Sequence, residues 1–258
     1  MKLIRELRMG LAKTFKTGAI VGSYPKPLLY FGFDNGGLDI IPTSKTDGFD
    51  ISQADIDRIA GGKFSMQATK PVTHIDYSSS QILTLATDYL PTKSQAAFMD
   101  FHNDYNKLAG KAELPYKTIV FDSVSGLMNI SLQHMSSFNP NALGDARVWA
   151  ANIGQKVRQL ILSATCLPTH VVFIMHSEVE KDELTGRIRE IASVYSNLRN
   201  EITGLFSQVF YATKDPTGKP VIWTTDKEFV RGIGPRWPVG LPPVCAPDFN
   251  SIYGKELA

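Results

Sequence analysis

Three runs of almost unbroken apolar residues constrain this chain more than any other feature: Leu28-Leu29-Tyr30-Phe31-Gly32-Phe33, Lys117-Thr118-Ile119-Val120-Phe121 and His170-Val171-Val172-Phe173-Ile174-Met175. Each has the length of a strand, and none shows the polar alternation of a strand with one wet face. They read as parallel strands at the centre of a sheet that is covered on both faces. The intervals supply the covering helices. Ser94 to Ala109, stopped by Gly110, precedes the second strand, and Asp145 to Ala164 precedes the third. In the latter, Val148, Trp149, Ile153, Val157, Leu160, Ile161 and Ala164 fall at helical spacing, with Arg147, Gln155, Lys156 and Arg158 on other faces. Thr17 to Gly22 has room only for a brief helix before Pro25 and Pro27. Farther on, Gln208 to Thr213 and Pro220 to Thr225 flank the turn sequence Asp215-Pro216-Thr217-Gly218, which predicts a β-hairpin at one sheet edge. The expectation is one α/β domain over 1–240, followed by an irregular proline-rich tail over 241–258. The stretch from Ile40 to Gly62 carries no readable pattern.

Composition sets outer limits. With 258 residues and 43% hydrophobic content, the chain suits one large domain better than two. A formal net charge of +2 excludes a global basic field, so any nucleic-acid contact must come from a local patch. The two cysteines, Cys166 and Cys245, are far apart and lack metal-ligand spacing. A reducing cytoplasm is therefore expected, and no apolar run reaches the length of a membrane span.

Chemistry concentrates at the ends of these strands. Gly10-Leu11-Ala12-Lys13-Thr14-Phe15-Lys16-Thr17 fits the phosphate-loop pattern G-x-x-x-x-G-K-[ST], except that Phe15 stands where the last glycine belongs. In an intact loop the backbone N–H groups wrap the β-phosphate, the lysine reaches the β- and γ-phosphates, and the hydroxyl ligates Mg²⁺. Gly10, Lys13, Thr14 and Phe15 would line such a loop, with Lys16 and Thr17 in the last two roles. A phenylalanine there must either force a different backbone path or point its ring outward, and glycine in its place is expected to raise ATP affinity or turnover, the opposite outcome following if the ring packs against the adenine or a neighbouring subunit. The plain alternative is a basic turn without a ligand. Ile119-Val120-Phe121-Asp122-Ser123 is an apolar strand ending in an acid, the Walker B arrangement, with Asp122 as the second metal contact and Ser123 beside it. It follows the loop at the spacing a phosphate-binding α/β domain needs, because ligands sit at the carboxyl ends of parallel strands.

Two further strand ends take roles by the same logic. Asp34 would stand beside the γ-phosphate to orient or deprotonate water, or it serves an Asp-Asn-Gly-Gly turn. His176 would sense the γ-phosphate, or it is a histidine hydrogen-bonded at a strand end. From Ser177 to Arg189 the chain is polar and mixed in charge. It reads either as a solvated loop or as a mobile loop whose Lys181, Arg187 and Arg189 meet DNA phosphates. Arg231 and Arg236, around Gly232-Ile233-Gly234-Pro235, are candidates for a charge-compensating finger or for stacking on a base.

In this order the motifs resemble a phage family of AAA/RecA-type P-loop ATPases that includes the Sak-group single-strand annealing ATPases. Gly10 to Thr17, the path from Tyr24-Pro25-Lys26-Pro27 to Asp34-Asn35-Gly36-Gly37, Ile119 to Ser123, and Val171 to His176 carry the match, with Trp149 and Arg231 at similar positions. The resemblance implies a RecA-like core, ATP and Mg²⁺ as cofactors, and recombination work on single-stranded DNA by annealing or strand pairing. It makes Asp34 the catalytic acid and His176 the sensor. It implies partners as well: single-stranded DNA, further copies of the chain in a ring or filament, and a single-strand binding protein, with no membrane. The rival expectation is a degenerate P-loop domain acting as a DNA-binding or protein-interaction scaffold. A packaging or replication motor would need further domains.

Overall fold

The computed structural model describes residues 2–34, the backbone of 73–76 and 83–88, and residues 96–138, 146–181, 183, 186, 188–227, 230, 232–238 and 240–257. The stretch from Ile40 to Gly62, Arg187 and Arg231 lie outside them.

All three apolar runs are strands, and they lie side by side. Strands β1 (Arg5–Gly10), β2 (Leu28–Gly32), β3 (Thr73–Asp76), β4 (Leu83–Asp88), β5 (Thr118–Asp122), β6 (His170–Lys181), β7 (Ile188–Ala192), β8 (Gln208–Lys214), β9 (Pro220–Trp223), β10 (Gly234–Pro235) and β11 (Val244–Cys245) belong to one sheet system. Its main order is β11-β9-β8-β1-β6-β5-β2-β4-β3. Pairing is parallel from β8 through β1, β6, β5 and β2 to β4. Every residue of β2 and β5 is buried, as continuous apolar runs require. The expected hairpin is present as antiparallel β8 and β9, with short β11 beyond them.

Alternation along the strands makes two cores. On one face Leu29, Phe31, Ile119, Phe121, Val171 and Phe173 pack under α2 (Ala97–Asn106), α3 (Val124–Phe138) and α4 (Ala146–Thr165), and the Phe121 and Phe173 rings stack at 4.4 Å. The stripe read on α4 is real, since Ile153, Val157, Ile161 and Ala164 are buried, although Val148 is 58% exposed. On the other face Leu28, Tyr30, Val120, Val172 and Ile174 meet α1 (Lys16–Ser23) and α6 (Phe249–Leu257). The result is the expected α/β core, a mostly parallel sheet between helical layers.

Two expectations require correction. The tail is not irregular. Asp248 accepts from the Ser251 N–H and hydroxyl at the start of α6, and the helix buries Ile252 and Tyr253. Tyr253 donates to Glu6 at 2.7 Å, Tyr24 donates to the same carboxylate oxygen, and Glu6 pairs with fully buried Arg8 at 2.6 Å. Arg8 also donates to Pro247 O and to the Tyr24 hydroxyl. These four side chains compensate most of one another's charge and polarity across the second core, with Arg8 Nε left without a hydrogen-bond partner among the described residues, and removing one partner of a buried ion pair costs about 3–5 kcal/mol.

The second correction concerns Ser177 to Arg189. β6 runs on past His176 to Lys181 and pairs with antiparallel β7, so Ser177–Lys181 and Ile188–Arg189 are strands of a solvent-exposed hairpin arm rather than loop. Backbone pairing and a few polar anchors hold it. Ser177 and Tyr211 both donate to the Glu190 carboxylate, and Arg199 on α5 (Ser196–Glu201) pairs with Glu178 at 2.7 Å.

Candidate functional site

The parallel strands bring their carboxyl ends to one edge, and the sequence candidates meet there. Gly10 lies opposite His176 in the β1–β6 register, and Asp122 lies opposite Gly32 in the β2–β5 register. Phe33 N–H donates to Asp122 O at 2.6 Å, which places Asp34 next to the β5 end. Positions far apart in sequence thereby share a few ångströms of space.

The segment from Gly10 to Lys16 leaves β1 and turns into α1. Gly10 has φ 149°, and a Cβ there would stand 2.3 Å from the Ala212 carbonyl oxygen. Only glycine passes between β8 and the loop. Lys16 is buried, and its ammonium donates to Gly10 O at 2.9 Å, Leu11 O at 2.7 Å and Thr14 Oγ1 at 3.2 Å. Burial lowers its pKa to about 8, against the opposing pull of Asp122 and Asp34. Lys13 is exposed at φ 61°, so it lines the outside of the loop.

Phe15 resolves the question its sequence position raised. Its backbone adopts φ 65° and ψ 24°, the left-handed conformation that glycine takes without strain, and its ring is 50% exposed. The loop keeps its path, and the ring points outward. For a non-glycine residue that conformation costs about 1–2 kcal/mol. Phe15→Gly should therefore raise the unfolding free energy by about 1 kcal/mol, after the entropic penalty of glycine is subtracted. A urea titration that shows no gain would contradict the strain.

Thr17 donates to Asp122 Oδ2, and Tyr30, which sequence reasoning missed, donates to the same oxygen at 3.0 Å. Asp122 is buried. Desolvation pushes its pKa up, Asp34 adds to the rise, and the hydrogen bonds from Thr17 and Tyr30 oppose it. The fit to Mg²⁺ is good: a hydroxyl and a carboxylate are the hard oxygen donors this cation takes, and a cation would relieve the repulsion between Asp122 and Asp34. Among the described residues no cluster of three or more His, Cys, Asp or Glu offers another metal site. Both cysteines are free thiols.

Asp34 and His176, 142 residues apart, form a pair with Nε2 and Oδ2 at 2.8 Å. Nε2–H donates to the carboxylate, and Nδ1 is buried without a hydrogen-bond partner among the described residues. Burial pushes the Asp34 pKa up, but the hydrogen bonds from His176 and Ser123 and the charges of His176 and Lys16 outweigh it, leaving the carboxyl below its ordinary value. Ser123 therefore faces Asp34, and its Oγ accepts from Gly126 N–H at 3.1 Å.

Gly126, on α3, is a second site residue that no motif marks. A Cβ on it would lie 2.4 Å from Asp34 Oδ1 and 2.7 Å from Phe33 O. Gly126→Ala should displace Asp34 from His176, lower ATP turnover at least tenfold and cost about 1–3 kcal/mol of stability as an overpacked site. Full turnover with unchanged thermal unfolding would contradict this.

The remaining candidates lie elsewhere. Lys181 and Arg189 are exposed on the hairpin arm. Arg236 is placed wrongly for a finger acting on its own chain. It follows β10, whose Pro235 opposes Gln208 at the start of β8, and its N–H bonds Ser207 O. That is the amino end of the strands, opposite the phosphate loop.

No curated protein matches the chain. Among solved structures, a KaiC-like protein from the hyperthermophilic archaeon Pyrococcus horikoshii is similar at 10% identity and a TM-score of 0.39, over 85% of this chain and 77% of that one. The family model described as AAA domain matches residues 17–232, from Thr17 through both strand-end acids and the hairpin arm. With most of its length so matched, the chain belongs to the AAA domain family of P-loop nucleotide-binding proteins.

Proposed function

We propose that this protein binds and hydrolyses Mg²⁺-ATP and couples that cycle to recombination on single-stranded DNA, by annealing or strand pairing. The observation that carries the reading is the convergence of Lys16, Thr17, Asp122, Asp34 and His176 at one edge of the sheet. Thr17 and Asp122 would hold Mg²⁺, which supplies neutralisation of phosphate charge when bound. Lys16 exchanges its carbonyl partners for phosphate oxygens. Asp34, held ionised, is a hydrogen-bond acceptor that orients an attacking water. His176 ties that acceptor to β6 and so to the arm.

The left-handed backbone of Phe15 counts against the scaffold alternative, because the path of a phosphate loop survives the lost glycine. The DNA reading draws on the likeness to the phage annealing ATPases and on the exposed Lys181 and Arg189 of the arm, which is an extension of the strand bearing His176. Assembly as a ring or filament belongs to the same proposal, as does a single-strand binding protein as partner. No described helix is long and apolar enough to cross a membrane.

The test is Mg²⁺-ATP hydrolysis with and without single-stranded DNA, beside DNA affinity across a salt series. Stimulation by single strands with a shallow salt slope is expected, since the arm offers few phosphate contacts. Tight duplex binding with a steep slope, or hydrolysis indifferent to DNA, would sink the DNA assignment and leave the nucleotide site standing.

A further inference from the structure

Phe15 keeps a strained backbone and presents a half-exposed ring, and the ring has a prepared seat. Gly18, in the first turn of α1, has ordinary helical backbone, so nothing in its dihedrals calls for glycine. A Cβ there would lie 2.5, 2.7 and 3.0 Å from three atoms of the Phe15 ring. The Cδ2, Cε2 and Cζ side of the ring is thus seated at the bare Gly18 backbone, and half of the residue is open to solvent.

The position of that seat is informative. Thr17 points at Asp122, and a helix turns by about 100° per residue, so Gly18 and the ring on it occupy a flank turned away from the carboxylates. Asp122, Asp34 and His176 mark the terminal-phosphate end of the site. A nucleotide held by the loop with its terminal phosphate at that end would extend its sugar and base the other way, toward the first turn of α1 and the Phe15 ring.

We propose that Phe15 is a nucleobase platform, whose open face stacks on the base of the bound nucleoside triphosphate. The proposal rests on the nucleotide-binding reading of the loop. Stacking on a lone ring needs only a π-face, so purines bind better than pyrimidines by area, and ATP and GTP bind alike. Phe15→Gly changes backbone strain and ring together. Phe15→Ala keeps the strain and lacks the ring, and Gly18→Ala keeps the ring but dislodges it while favouring the helix.

The test titrates the parent, Phe15→Ala, Phe15→Tyr and Gly18→Ala with ATP, CTP and inorganic tripolyphosphate in Mg²⁺. Expected is a loss of about tenfold in ATP affinity for Phe15→Ala and Gly18→Ala, a smaller loss for CTP, no change for tripolyphosphate, and retention in Phe15→Tyr. Unchanged ATP affinity in Phe15→Ala would overturn the platform. So would ATP and tripolyphosphate weakening together, since the ring would then support the loop and not a base. If the parent bound neither ATP nor tripolyphosphate, the phosphate site would fall and the platform with it.

Discussion

Lys16→Ala is expected to weaken ATP binding by about a hundredfold or more while the protein still folds. The ammonium is the buried positive charge at the loop, and a charge-assisted contact with phosphate in so desolvated a place contributes about 3 kcal/mol. Its three native acceptors are loop groups at the mouth, and the core packs without it. The same residue sets a pH dependence. Because burial lowers its pKa to about 8, the free protein loses this charge as pH rises through that value, and affinity for the polyanion should decline above pH 8. Lys16→Ala should flatten the decline. Equal affinity in mutant and parent at pH 7, measured by calorimetry on folded samples, would remove the nucleotide site from this loop.

Asp122→Asn should be nearly as severe on turnover and gentler on binding. The substitution keeps the shape and a hydrogen-bond acceptor for Thr17 and Tyr30 but removes the buried negative charge. Turnover should fall at least a hundredfold, and the Mg²⁺ concentration needed for half-maximal ATP binding should rise about tenfold or more. Stability should hold or rise, because desolvation raises the Asp122 pKa and the neutral amide escapes that penalty. Identical Mg²⁺ titrations and equal hydrolysis in both proteins would refute the assignment.

What the sequence made legible, and what it hid, follows from chemistry at particular residues. β2, β5 and the first half of β6 were readable because strands buried on both faces have no choice but apolar side chains. The central strand β1 was harder. Glu6 and Arg8 give it the look of a surface segment, and only the fold shows that they neutralise each other beside Tyr24 and Tyr253. The arm was misread for a related reason, since it pairs with itself and packs little against the core, so its side chains carry no apolar signature. Prolines suggested an irregular tail and masked α6, whose signals were Asp248 as a cap and the apolar Phe249, Ile252 and Tyr253. At the site, Asp34 and His176 were each legible as strand ends, but their bond was not, because nothing local links residues 142 positions apart. Tyr30 offered a usable signal, a phenol inside an otherwise apolar strand, which needs a buried partner. Gly126 offered none, because its role lies in what the β2 end places against it.

The bond between Tyr253 and Glu6 spans 247 positions of the chain, and it also bears on the order in which the protein is made. β1 is made well before both of its sheet neighbours, β6 and β8, which begin at residues 170 and 208, and the tyrosine that completes its buried charge cluster comes later still. Until then the nascent strand carries Glu6 and Arg8 without the environment that makes their burial tolerable. The loop from Gly10 to Lys16 grows directly from that strand, so its path waits on the same late contacts. The loop therefore takes its folded path only once β6, β8 and α6 have been made, with long-range closure as the slow event.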